Sequence, residues 1–246
     1  MKEFIYDGTF EALLTAVFYA FSTKEASTIK RKLNYSPSLL NETVDIQFEK
    51  DKFDKVYYAI ENKLSTNTLE NVYHVYLSEY DNCEDIILKY LRLAFKYGVK
   101  VNLAKNNDII LLVDKYCRRV TYEAHRFTGF VRFKEIGPLS YYASIEPDHN
   151  ILPILITHFT NRFSDQNFIL HDIRREKAII YNKTESLIID LSKEDGLRIE
   201  SSSNDSNFEG LWKTFYTSVN IEERRNEKLR RHYMPKRYWS HLTEVK

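Results

Sequence analysis

The sequence is poor in residues that interrupt regular structure, with 6 glycines and 5 prolines among 246 residues. Collagen-like and low-complexity chains are rich in both, so those classes are excluded. Cysteine is scarcer still, with Cys83 and Cys117 alone. Two thiols cannot by themselves build a four-thiolate zinc site or an iron–sulfur cluster. With no secretory context they read as reduced, buried thiols. No apolar run approaches the ~20 residues that span a bilayer. The start, Met1-Lys2-Glu3-Phe4, lacks the basic and then apolar layout of a secretory signal. A cytoplasmic protein with no membrane partner is therefore expected. The phosphate-binding Gly-x-x-x-x-Gly-Lys loop, the dinucleotide Gly-x-Gly-x-x-Gly and the Gly-x-Ser-x-Gly elbow are all missing. Conventional nucleotide hydrolases and serine hydrolases drop out, and no cofactor is expected. No metal site is expected either, because no His-Glu-x-x-His helix or paired Cys-x-x-Cys occurs.

What the chain has is aromatic bulk and segregated charge. It carries 18 Tyr, 15 Phe and 2 Trp, and 43% of its residues are hydrophobic, enough for a real core. The formal net charge of +1 hides two opposite regions. Between Glu42 and Asp85 stand eleven acids against four lysines, and from Arg224 to Arg237 seven bases against Glu227 alone. Each run can be a solvated helix face, and each can also create a local field for a partner. In the basic run Tyr233, Tyr238 and Trp239 lie among the cations, a mixture that contacts phosphates and stacks on bases. Met234, Tyr238 and Trp239 can equally pin this tail to the core.

Periodicity predicts an α+β protein with a mostly helical first half, an antiparallel sheet with a packed helix in the second, and a helical C-terminal tail. Residues 4–6 read as a strand, followed by a capping turn at Asp7-Gly8-Thr9 and an apolar helix from Phe10. A second strand is expected over 44–48, and helices at about 51–63, 66–79, 84–97 (closed by Gly98) and 107–125. From Phe127 the period becomes strand-like, over 127–135, 139–146, 167–173, 177–181 and 186–191. Arg174-Arg175-Glu176-Lys177 reads as a hairpin tip, Asp148 as the cap of a helix over 149–163, and Ser206 to Glu209 as a capping box. The regions expected are 1–125, 126–200 and 201–246, within one integrated domain.

Two constellations carry candidate chemistry. Strand alternation over Arg126 to Phe133 would put Arg126, Thr128, Phe130 and Arg132 on one face, with Phe130 as a stacking platform between arginines. The same stretch partly matches the RNA-recognition strand pattern, but Phe127 and Thr128 depart from it and the order of elements is wrong for that fold. His125, His158, His171 and Asp172 are the candidates for acid–base work, although His171 and Asp172 face opposite ways on one strand. Arg162, Arg174 and Arg175 can extend a basic surface, or pair with Asp148, Asp165 and Asp172.

Four stretches, in order along almost the entire chain, resemble a known family. They are Phe4 to Phe18, His125 to Phe133, His158 to Phe163 with Ile169 to Arg175, and Arg224 to Trp239. The family is that of "probable DNA metabolism" or "putative DNA repair" proteins. Its domain occurs alone, beside a radical S-adenosylmethionine protein, or fused to a uracil-DNA-glycosylase-like domain. The resemblance implies a bacterial protein of DNA repair or modification, with DNA and a radical S-adenosylmethionine enzyme as partners. It implies no catalytic residues, and the chain's end at Lys246 leads us to expect no fused glycosylase. The nucleic-acid-binding set expected from these cations and rings is Arg126, Phe130, Arg132, Arg162, Arg174, Arg175, Arg224, Arg225, Lys228, Arg230, Arg231, Lys236 and Arg237. An enzyme acting on a nucleobase or phosphodiester, and an adaptor using its acidic helices, stay open beside that reading. Oligomeric state is not encoded in any of these signals.

Overall fold

A computed structural model describes residues 2–23, 25–37, 41–201, 214 and 226–243. The chain forms two compact units, Met1–Thr121 and Tyr122–Lys246.

The first unit is built on a three-stranded parallel sheet of order β2-β1-β3: β1 Lys2–Tyr6, β2 Ser27–Arg31 and β3 Glu42–Ile46. Parallel neighbours need a crossover, and α1 (Phe10–Ser22) supplies the one between β1 and β2. Strand β1 is central, and Phe4, Ile5 and Tyr6 on both of its faces are buried. The expected turn forms: Asp7 Oδ1 accepts from the amide and hydroxyl of Thr9, whose own hydroxyl caps the amide of Ala12. Gly8 holds φ +101° there, a conformation costly to any residue with a Cβ. Three further helices, α2 (Lys50–Lys63), α3 (Thr66–Leu77) and α4 (Cys83–Tyr97), follow the predicted apolar spacing, and Gly98 closes α4 at φ +72°. Strand β2 has no counterpart in the sequence reading. Only Ile29 of its five residues is buried, so it lacks the alternation that marks a half-buried strand.

The helix α5 runs from Asp108 to Phe130. This corrects the expected strand over 127–135: the next strand, β4, begins only at Lys134. The apolar stripe Ile110, Val113, Tyr116, Val120 continues to Phe127 at helical spacing. Packing of that stripe overrides the strand preference of the aromatic and β-branched residues from Phe127 onward. Arg126, Thr128 and Phe130 therefore stand on a helix, and share no strand face with Arg132.

The second unit holds a five-stranded sheet of order β4-β5-β6-β7-β8. Its strands are β4 Lys134–Gly137, β5 Ser140–Ile145, β6 Asn167–Asp172, β7 Lys177–Tyr181 and β8 Ser186–Asp190. Three pairings are antiparallel, and β5–β6 is parallel, crossed over through α6 (Leu152–Arg162). Pro153 falls in the first turn of α6, where its missing amide costs nothing. Asp148 does not cap this helix. The helix starts only at Leu152, with Ile151 in the cap position and no side-chain bond there, while the Asp148 carboxylate pairs with Arg237.

The two faces of the sheet are occupied differently. Phe168 on β6 packs against Phe159 of α6 and against Phe133, an aromatic seam that buries one face. On the other face lies α7 (Lys193–Ser201), a helix the sequence reading missed although Ser192 and Asp195 form a reciprocal cap. Gly196 lets α7 approach closely: a Cβ there would lie 2.5 Å from His171 Nδ1 and 2.8 Å from the Tyr142 hydroxyl. A mid-helix glycine costs roughly 1 kcal/mol against alanine, and this close approach is the reason for it. Among the described residues the tail contains α8 (Glu227–Tyr233) and a 3₁₀ segment, Lys236–His241. The capping box at 206–209 lies outside the described residues.

Candidate nucleic-acid interface

The stripe that drives α5 also places a carboxylate where an apolar residue would otherwise stand. Glu123 lies between Val120 and Phe127 on the buried side of the helix and is 6% exposed. An unpaired charge there would cost several kcal/mol, so the surroundings must supply donors. Four converge on it. The amides of Asp148 and His149 each donate at 2.9 Å, His149 Nδ1 pairs with Oε2, and the Tyr238 hydroxyl donates to Oε1 at 2.5 Å. Burial alone would raise the Glu123 pKa, but these hydrogen bonds outweigh it and hold the carboxyl below its ordinary range. Glu123 thus ties together α5, the loop before α6 and the C-terminal tail.

Tyr238 is the anchor of that tail. It is 2% exposed and packs edge-on against Phe127 at 4.9 Å, with Phe130 also against its ring. Burial, with Glu123 beside it, pushes its pKa well above the ordinary tyrosine value, so it stays a neutral donor. Arg126 adds a second attachment: its guanidinium stacks on Tyr122 and donates to the carbonyl of His232 at 3.0 Å. Trp239 turns inward to the Met234 carbonyl, and Arg230 and Lys236 lie over its ring.

Arginines from the sheet and from the tail meet at one loop. Asp172, fully buried at the end of β6, accepts from the amides of Arg174 and Arg175 and from the Arg175 guanidinium at 2.8 Å. Burial raises the Asp172 pKa, with Arg175 opposing. The turn so fixed points both arginines at the loop 147–149. Arg175 donates to the carbonyls of Pro147 and Asp148, and Arg174 reaches the Asp148 carbonyl at 3.5 Å. From the tail, Arg237 pairs with the Asp148 carboxylate at 2.6 Å and donates to the Tyr238 hydroxyl at 2.9 Å. Arg237 keeps 55% of its side chain exposed. Lys228, Arg231 and Lys236 on the same tail are exposed as well.

The other residues singled out in the sequence divide as follows. Phe130 is half-buried beneath Tyr238, which corrects its reading as an exposed stacking platform on a strand. Arg132 donates to the carbonyl of Gly129 at 2.7 Å and so closes the end of α5. Arg162 is exposed in the last turn of α6, where a cation complements the helix dipole. Arg230 also faces Glu227 at 3.8 Å. Arg224 and Arg225 lie outside the described residues. The four acid–base candidates are not brought together. His125 is exposed on α5 and His158 on α6, its ring edge-on to Phe159. His171 is fully buried on the α7 face; its Nε2 meets the Leu191 carbonyl, which leaves Nδ1 to accept from the Tyr142 hydroxyl. Burial lowers its pKa and favours that neutral form. Asp172 faces the opposite side of the same strand. Among the described residues no cluster of His, Cys, Asp and Glu fit to hold a metal occurs.

Sequence reasoning missed Glu123 and His149. A signal for Glu123 existed: it is a lone acid inside an apolar helical stripe. His149 gave none, because its partner is 26 residues away in the chain.

A family model described as a domain of unknown function, DUF4130, matches residues 81–244. No curated protein and no solved structure matches the chain.

Proposed function

The chain belongs to the DUF4130 family, whose match spans about two thirds of it and includes the whole candidate interface, and we propose that this chain is a nucleic-acid-binding accessory protein of DNA repair or modification. The contact surface is the tail 226–243 together with the hairpin tip Arg174-Arg175. The observation that carries this reading is the meeting of Arg174, Arg175 and Arg237 around Asp148. It joins the sheet's cations to the tail's on one surface, where a phosphate backbone can follow them. Asp172 and Asp148 offset part of that charge, and Lys228, Arg231, Lys236, Arg237 and Arg174 remain exposed to an incoming polyanion. The family resemblance supports a radical S-adenosylmethionine enzyme as its working partner.

Salt dependence tests the contact. Five phosphates neutralised on duplex DNA give a log–log slope of about −4.5. Fluorescence anisotropy of a labelled duplex, titrated at several salt concentrations, measures it. The triple reversal Lys228→Glu, Arg231→Glu, Lys236→Glu touches none of the Glu123 or Asp148 bonds and should cut the slope to about −1.8. Equal affinity and equal slope in wild type and variant would remove the tail from the interface.

A further inference from the structure

On the α7 face of the sheet lies a second site, a cavity of about 140 Å³. Strand alternation puts Tyr142 and Ser144 of β5 on this side, and Glu146 just past the strand end keeps the same parity. The tail completes the wall with Ser240, His241 and Thr243, while Arg132 and Lys134 stand on either side of the entry to β4. Ser144 Oγ lies 3.1 Å from His241 Nδ1, and His241 Nε2 lies 3.6 Å from Glu146 Oε2. Glu146, His241 and Ser144 thus form a chain from the outside to the cavity. When the imidazole carries both protons, Nδ1–H donates to the serine oxygen and turns the hydroxyl hydrogen toward the cavity. Lys134 is bonded to Glu200 of α7 at 2.9 Å. Two permanent cations, Arg132 and Lys134, therefore line the site against one carboxylate, Glu200, which Lys134 engages.

We infer that this cavity binds a tetrahedral phosphate dianion, with Ser144, Arg132 and Lys134 as its donors and His241 orienting the serine hydroxyl. Size decides against a larger ligand: pockets for drug-sized molecules run to about 300–1,000 Å³, well above this one. Donor chemistry decides the class, since hydroxyls, a guanidinium and an ammonium suit a compact oxyanion. The terminal phosphate of a nucleic acid and free phosphate share this chemistry. The site is distinct from the polyanion surface, as Lys228 and Arg231 do not line it.

The test uses the full chain and inorganic phosphate, followed by ³¹P NMR and calorimetric titration. Wild type is expected to bind saturably, Ser144→Ala about tenfold more weakly, as befits one lost charge-assisted hydrogen bond. Lys134→Gln is the second variant, to be used if Ser144→Ala melts early, and is also expected to weaken binding. The triple reversal of Lys228, Arg231 and Lys236 should retain phosphate binding, which keeps this inference separable from the polyanion reading. Competition by a 5′-phosphorylated but not a 5′-hydroxyl oligonucleotide identifies a nucleic-acid end as the source, and competition only by small phosphomonoesters identifies a free one. No saturable binding to wild type, or wild-type binding by folded Ser144→Ala and Lys134→Gln, overturns the site.

Discussion

Replacing Glu123 by glutamine removes a charge but little volume, so it isolates what the carboxylate does. The wild-type side chain accepts from two amides, His149 Nδ1 and the Tyr238 hydroxyl. A glutamine has one acceptor oxygen, and its NH₂ would face donors. Each buried donor left without its acceptor costs about 1–3 kcal/mol, so stranding two of them costs about 3–5 kcal/mol, a large part of the 5–15 kcal/mol that typically holds a domain together. In a chain of this size the midpoint of thermal unfolding should fall by about 10 °C. Tyr238→Phe deletes the tail's bond to Glu123 and the one Tyr238 accepts from Arg237, and should cost about 1–2 kcal/mol. Because the tail is attached through Tyr238, both variants should loosen its backbone and speed tryptic cleavage after Lys228, Arg230 and Arg231, Glu123→Gln the more. The pH dependence has a definite sign. Glu123 has a lowered folded-state pKa, so its stabilisation is fully present above about 4.3, the unfolded value, and is lost as pH falls through the folded one. The gap between wild type and Glu123→Gln should therefore be constant from pH 7 to pH 5 and close in more acidic solution. A variant as stable and as trypsin-resistant as wild type at pH 7 would refute the hub.

Three further outcomes follow from single positions. Gly196→Ala places a methyl 2.5 Å from the His171 ring, and His171 is too buried to step aside; overpacking of about 1–3 kcal/mol should exceed the roughly 1 kcal/mol gained in helix propensity, and a variant more stable than wild type in urea would contradict the close approach. Gly98→Ala meets open space, but φ +72° with ψ −161° belongs to a glycine-only region, so a loss of about 1–3 kcal/mol is expected by chemical denaturation, and no loss would show that the chain relaxes there. Burial pushes the Cys117 thiol up to about 12, and burial with Glu84 beside it pushes Cys83 higher still. At pH 8 the buried Cys83 should not react with an aromatic disulfide reagent until urea is added, and the half-buried Cys117 should react only slowly because little of it is thiolate; prompt labelling of Cys83 in the native protein would disprove its burial.

The sequence by itself determined the elements whose residues report locally. The helices α1 to α4 show their apolar faces at 3.6-residue spacing, Gly98 marks a terminus, and β7 coincides with its run of strand formers. The hairpin tip at Arg174-Arg175 was equally legible, because short polar turns between strands need no distant partner. At Phe127 the local signal pointed the wrong way: aromatic and β-branched residues favour strands, yet the buried stripe of α5 carries the helix on to Phe130. Tertiary structure alone decided the parallel sense in which β1 pairs with β2 and β3, since strand residues carry no local mark of the direction of their partner. It also decided both sites. Tyr238 meets Glu123 across 115 positions, and His241 meets Ser144 across 97. Such pairs are selected by the desolvation cost of a buried polar group, which appears only when the fold brings its partner within reach.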